Sequence, residues 1–220
     1  MAYFPNKNLT MKTYLNNSLK TLAALLVSAT AICAAEEDKN VFVNTSVGLT
    51  VTKPADWQFV SADQHLENVA RTQLNDQQMQ EAMQKHATAP LVVMMKHPEP
   101  FDDLNPSFKV NIKPLGNISG EDPVAIINLL TGSMGKMFKD FKIVEGPTET
   151  TISGLKAAHV RIHYSLQIPD GRTFPTASDL WVVPRGKYFF LIGAGIRQDE
   201  KTGSHAEVDG ILSSLKLEAL

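Results

Sequence analysis

The sequence predicts an α+β fold, a mainly antiparallel sheet flanked by helices in an α/β/α sandwich. Short runs of alternating apolar residues recur along the chain, joined by hairpin-turn signals such as Asp170-Gly171. Only three stretches carry apolar residues at the three-to-four spacing of a helix. The regular strand-helix alternation that a parallel doubly wound sheet needs is missing.

Taken in order, Glu36 to Asn40 is a polar lead-in. Val41 and Val43, then Leu49 and Val51, alternate around Asn44-Thr45-Ser46 and Gly48, which predicts a β-hairpin closing at Lys53-Pro54. Trp57 and Phe59 follow. The glutamine-rich stretch 62–86 is helical by the spacing of Leu66, Val69, Ala70, Leu74, Met79, Ala82 and Met83. Its phase slips at Asn75-Asp76, good N-cap residues, so it is one bent helix or two. Leu91 to Met95 reads as a buried strand, Phe101 to Pro106 as a loop, and Phe108, Val110, Ile112 as an alternating strand.

Asp122-Pro123 opens a second helix, with proline at its first position. It is expected to run to about Phe138, with Val124, Ile127, Leu130 and Met134 on one side. Strands and tight turns come next. Ile143 starts a strand, Ile152-Ser153-Gly154 makes a turn, Ala158 to Gln167 is a long strand, and Pro169-Asp170-Gly171 is a hairpin turn. Leu180 to Val183 pairs with Tyr188 to Ile196 across Pro184-Arg185-Gly186-Lys187, and Ala206 to Leu217 is expected to close the chain as a helix.

Ahead of this single domain, 36–220, residues 1–35 have the order of a signal peptide. Met11, Lys12 and Lys20 precede the apolar run Leu22 to Val27, and small residues surround Ala29, Ala31, Ala34 and Ala35. Met11 directly precedes the charged start of this leader, which makes it a candidate start. Even from Leu22 to Ala35 the apolar stretch is about fourteen residues, short of the roughly twenty that cross a hydrocarbon core. Cleavage after Ala35 is favoured over Ala31 and removes the single cysteine, Cys33, so the exported part holds itself together without a disulfide. Ile32 before Cys33 departs from the lipoprotein pattern. Three of the 21 Lys and Arg lie in the leader and all 23 acidic residues lie beyond it, leaving the exported part at net −5. That balance lacks the basic footprint of a nucleic-acid binder.

Several short signatures together resemble the PsbP/Mog1-like family of small α/β/α sandwiches. They are Gly48-Leu49-Thr50-Val51 running into Pro54-Ala55-Asp56-Trp57, the Ile152-Ser153-Gly154 turn before a long strand, Trp181-Val182-Val183 with Gly186-Lys187-Tyr188-Phe189-Phe190-Leu191, and the closing helix. The glutamine-rich stretch departs from the compact versions of that fold. The resemblance implies a domain that binds or helps assemble something, with no shared active site. The leader lacks the Arg and Ser enrichment of a transit peptide, so a bacterial periplasmic or secreted protein is expected.

No catalytic residue and no cofactor is read from the sequence. His159, Arg161 and His163 alternate along one strand and share a face, while Ala158, Val160, Ile162 and Tyr164 face the core. Residues four apart on a strand are about 13 Å apart. One zinc holds every ligand within about 2.3 Å, so this pair does not grip a metal. A solvated polar face is expected, and it is the candidate contact face. His65, His86, His97 and His205 read as surface residues, and the acidic loop Asp102, Asp103, Asn105 as a solvated turn lacking a calcium loop's glycine and glutamate. Gly132-Ser133-Met134-Gly135 lacks the spacing of a nucleophile elbow. Both it and Gly193-Ala194-Gly195 read as sites of close helix approach. The methionines read as core filling. Asn44-Thr45-Ser46 and Asn117-Ile118-Ser119 match the glycan acceptor pattern.

The expected function is therefore an exported, non-enzymatic binding or assembly module of the bacterial envelope, whose partner is another envelope protein or a small ligand and not nucleic acid. A small-ligand carrier or hydrolase with a pocket built from distant residues is the alternative. A third reading is an envelope protein held at the membrane by an uncleaved leader.

Overall fold

Alternating residues from Val41 onward do form strands, and the apolar residues of the second and closing helices lie against them. The computed structural model describes residues 38–71, 77, 89–118 and 122–218. The expected signal peptide and its cleavage site at Ala35 lie outside the described residues, as do the Asn75-Asp76 slip, His86 and Ser119. The elements are β1 (Val41–Asn44), β2 (Leu49–Thr52), β3 (Gln58–Val60), α1 (Ala62–Arg71), β4 (Val92–Met95), β5 (Ser107–Pro114), α2 (Pro123–Met134), β6 (Lys139–Ile152), β7 (Leu155–Gln167), β8 (Thr173–Arg185), β9 (Tyr188–Arg197), α3 (His205–Ser214) and β10 (Lys216–Leu217).

Seven strands form the main sheet in the order β3-β4-β5-β9-β8-β7-β6, every neighbouring pair antiparallel. Hairpins make the β6 to β9 meander, and β9 then returns beside β5. A smaller sheet, β1-β2-β10, is antiparallel as well. The fold is thus the predicted α+β arrangement.

Both faces of the main sheet are covered, which is why its central strands are apolar on both sides. One face packs Ala157, Ala177, Trp181, Val183, Phe190 and Ile192 against Leu49 and Val51 of the small sheet and Val208 and Ile211 of α3. The other packs Ala158, Val160, Ile162, Val182 and Phe189 against Ile126 and Ile127 of α2. One covering layer is therefore a small sheet with a helix, and the other is helical.

Local chemistry sets the element ends. Asp122 caps α2, accepting from the Val124 and Ala125 amides at 2.9 and 3.1 Å. Ser204 caps α3 in a reciprocal capping box with Glu207. Ser153 and Gly154 both take positive φ, 54° and 76°, in the two-residue turn that joins Ile152 to Leu155.

The structure corrects four expectations. First, α2 ends at Met134, not near Phe138: Gly135 caps it, and the Phe138 ring turns toward Tyr164 at 4.2 Å between centroids. Second, close packing at Gly132-Ser133-Met134-Gly135 holds for Gly135 alone, where a Cβ would stand 3.3 Å from the Phe141 ring of β6, while nothing lies within 4 Å of where the Gly132 Cβ would stand. Third, the closing helix stops at Ser214: Leu215 is extended, and Leu217 pairs with Leu49 as β10 while its amide donates to Ser153 Oγ at 2.9 Å. Fourth, among the described residues Gly193 and Gly195 are neighboured by Leu180, Lys109, Ser107 and Ser178, side chains of flanking strands rather than a helix.

Candidate functional site

Alternation along β7 puts His159, Arg161 and His163 on the face that also carries Ala157, as the sequence predicted. This face is not a solvated one. Only 13% of the His159 side chain and 24% of the Arg161 side chain is exposed. The cause is Asp179 on β8, which lies opposite Arg161 and is 2% exposed. A buried carboxylate must gather cations or hydrogen-bond donors, and it draws these side chains down.

Both neighbours bond the same oxygen. His159 Nε2 stands 2.7 Å from Asp179 Oδ1, and Arg161 Nε donates to it at 2.9 Å. Arg161 also reaches outward, its Nη1 3.2 Å from Glu145 Oε2 on β6. The His159 ring stacks on Trp181, its cross-strand partner, with centroids 4.9 Å apart and planes 20° from parallel. His163, half-buried, lies opposite Ala177 on β8 and Lys142 on β6.

Helix α3 adds a third histidine. His205 Nε2 stands 3.7 Å from Asp179 Oδ2 and is buried without a hydrogen-bond partner among the described residues, while Nδ1 is 2.9 Å from Glu200 Oε1. His205 is thus part of the cluster and not the surface residue expected. Burial pushes the Asp179 carboxyl up, but the bonds from His159 and Arg161 outweigh it and hold the group below the usual carboxylate range. His163 is held below its ordinary value by burial, then by His205 and Arg161, with Asp179 opposing.

A carboxylate-histidine pair can orient an imidazole for proton transfer, as in hydrolytic triads. Here Asp179 Oδ1 is shared with Arg161, and among the described residues no hydroxyl or thiol hydrogen-bonds His159 or His205. Nor do the described residues include three His, Cys, Asp or Glu placed to hold a metal ion. The cluster is a self-compensating polar ledge.

Other singled-out residues have structural duties. His97 Nε2 meets the Thr202 carbonyl at 3.1 Å and its ring stacks on Phe101, so it is no free surface group. The acidic loop is not merely solvated: Asp103 pairs with Arg197 at 2.7 Å, Asp102 with Arg172 at 2.8 Å, and Asn105 bonds the His97 backbone. His65 is half-buried on α1, and burial and then Lys109 hold it below its ordinary value. Met94 is fully buried, as core filling requires, whereas Met137 is 38% exposed.

Asp179, Glu200 and the role of His205 went unread in the sequence. Asp179 carried a signal. It alternates with Trp181 and Val183 on a strand whose other residues are largely apolar, so its side chain shares their buried face.

No family model matches the chain, and no curated protein matches it. Solved structures do. LpqN, involved in cell envelope biogenesis of Mycobacterium tuberculosis, is similar at 15% identity over 78% of this chain and 83% of its own, with a TM-score of 0.48. Cyanobacterial PsbP (CyanoP) from Synechocystis sp. PCC 6803 is similar at 11% identity over 84% and 97%, with a TM-score of 0.47. A protein of Bacteroides thetaiotaomicron is similar at 14% identity and a TM-score of 0.45, and this chain spans 48% of its length. With all three TM-scores below one half, the architecture rests on the strand order and registers given above.

Proposed function

We propose that the chain is an exported, non-enzymatic binding module of the bacterial envelope, and that its contact surface is the ledge of β7 carrying His159, Arg161 and His163. The observation that carries this reading is that His159 and Arg161 both bond Asp179 Oδ1, which holds the ledge together, and that among the described residues no hydroxyl or thiol hydrogen-bonds either ledge histidine beside Asp179. Export is supported by the leader-like order of residues 1–35. No described helix is long and apolar enough to cross a membrane. The negative balance beyond the leader argues against nucleic acid as partner and leaves a protein as the better fit.

The test is a pull-down from the native envelope fraction with the tagged protein, comparing wild type, Arg161→Ala and a distant control, Lys216→Ala, each first shown to melt cooperatively. A protein recovered with wild type and control but lost with Arg161→Ala supports the reading. Equal recovery with all three moves the contact elsewhere, and a hydrolytic or redox activity abolished by one substitution in the ledge overturns it.

A cleft favours a second reading, a carrier of a small apolar ligand. It encloses about 430 Å³ and is lined by Phe42, Phe59, Val60, Ser61, Gln64, Pro90, Leu91, Val92 and Val93. Pockets of this size and lining suit small apolar molecules. A ligand seated there raises the melting temperature, and Phe59→Ala removes that rise.

A further inference from the structure

The ledge gathers more titratable groups than holding Asp179 requires. Its charged groups come from four directions: His159, Arg161 and His163 from β7, Asp179 from β8, Glu145 and Lys142 from β6, and His205 with Glu200 from the start of α3 and the turn before it. Opposite Asp179, β9 contributes only Ala194. With its histidines neutral the ledge holds two cations, Arg161 and Lys142, against three carboxylates. With all three histidines charged it holds five cations against the same three. Its net charge therefore changes sign with the protonation of its histidines.

The histidines do not respond alike, and the geometry says how. His205 faces two carboxylates, Glu200 at 2.9 Å and Asp179 at 3.7 Å, and its buried Nε2 has no hydrogen-bond partner among the described residues. A proton there creates a donor aimed at Asp179 Oδ2, an oxygen that His159 and Arg161 leave aside. His163 is placed the other way, opposite Lys142 and next along the strand face from Arg161. A proton there adds a cation to cations in a half-buried place, so the ring gains by leaving for water.

We propose that this cluster is an acid-operated switch on the contact face, in which protonated His205 closes onto Asp179, protonated His163 swings outward, and the ledge turns from net negative to net positive. The switch rests on the contact-face reading for its use, but it is a property of the free protein and is tested without a partner. A failed pull-down bears on the contact face, and fixed histidine signals bear on the switch.

The experiment is a nuclear magnetic resonance titration of the six histidines in the full chain between pH 8 and 5, assigned by single His→Gln variants. His163 is expected to take its proton below the ordinary histidine range, because burial and the neighbouring cations oppose its charge. In His205→Gln the His163 midpoint rises by about 0.5, the size a screened neighbouring charge imposes. Amide signals of β7 and of the first turn of α3 move together with these midpoints. Trp181 adds an optical readout, because a charged imidazole stacked on an indole quenches it. A pH-dependent change in its emission that comes from the stacked ring disappears in His159→Gln, with Trp57→Phe removing the only other tryptophan. The proposal is overturned if the His163 midpoint is unmoved in His205→Gln, or if the β7 and α3 amide signals stay fixed while the histidines titrate.

Discussion

At the scale of single residues, the polar contacts differ greatly in worth. Asp179 is a buried charge whose removal strands two donors, and breaking a buried pair costs about 3–5 kcal/mol. Asp179→Ala is therefore expected to lower stability by about that amount in urea unfolding. Arg161→Ala alone costs a similar amount, since it leaves the carboxylate to His159 and His205. The double variant falls well short of the sum, because once one partner is gone the other has less to lose. Additive losses would place the two outside one network. Glu207 serves a comparable purpose elsewhere, accepting from Lys96 at 2.6 Å and from Trp57 Nε1 at 3.3 Å while closing the capping box of α3. Glu207→Gln keeps the shape and loses the charge. A cost of about 1–3 kcal/mol is expected, with Trp57 emission shifted as its hydrogen bond changes.

At the scale of elements, the glycines separate by what surrounds them. Gly132 lies inside α2 with open space around it and Gly210 inside α3 likewise, so Gly132→Ala and Gly210→Ala are each expected to raise stability by about 0.5–1 kcal/mol. Gly146 has a φ of 76° at the bulged stretch where β6 changes register against β7, and a Cβ there would stand 2.6 Å from the His159 carbonyl. Gly146→Ala is expected to cost more than about 1 kcal/mol and to perturb the His159 signals, whereas the helical substitutions leave them in place. The same elements show what the sequence could reveal. Strand β7 was legible because polar and apolar residues alternate along it, and β9 because an apolar run lies bounded by turn residues. The extent of β8 was missed because Pro175, Thr176, Ser178 and Asp179 break the apolar run, though the sheet's hydrogen bonds continue through them. The end of α3 was missed because Ile211 and Leu215 keep helical spacing while Leu217 belongs to a strand whose partner, Leu49, is far away in sequence. No local pattern encodes that pairing.

At the scale of the whole molecule, the candidate site was half legible. His159, Arg161 and His163 were found by alternation, but their surroundings were misjudged, since buried Asp179 on β8 and His205 on α3 partly cover that face of β7. Hairpin register held the missing half: Arg161 and Asp179 stand nine residues either side of Asp170, and the turn there makes them partners. The packing of such groups sets how the fold responds to acid. His163 and His65 are bases held below an ordinary value near 6.5, so the unfolded chain binds more protons than the native one as pH falls below that value, and stability declines. Asp179 and Asp103 are acids held below 3.8, and Glu207 and Glu200 below 4.5. Their contribution is complete above those values and is lost as pH falls through the native ones. Two separate descents are therefore expected in the urea midpoint at constant slope, one beginning near pH 6.5 and one below about pH 4.5. His163→Gln shrinks the first and spares the second, and Asp179→Asn shrinks the second. A single descent confined to the carboxylate range would mean that the half-buried histidines accept protons in the native fold as readily as in the unfolded chain, with the desolvation of β7 too weak to matter.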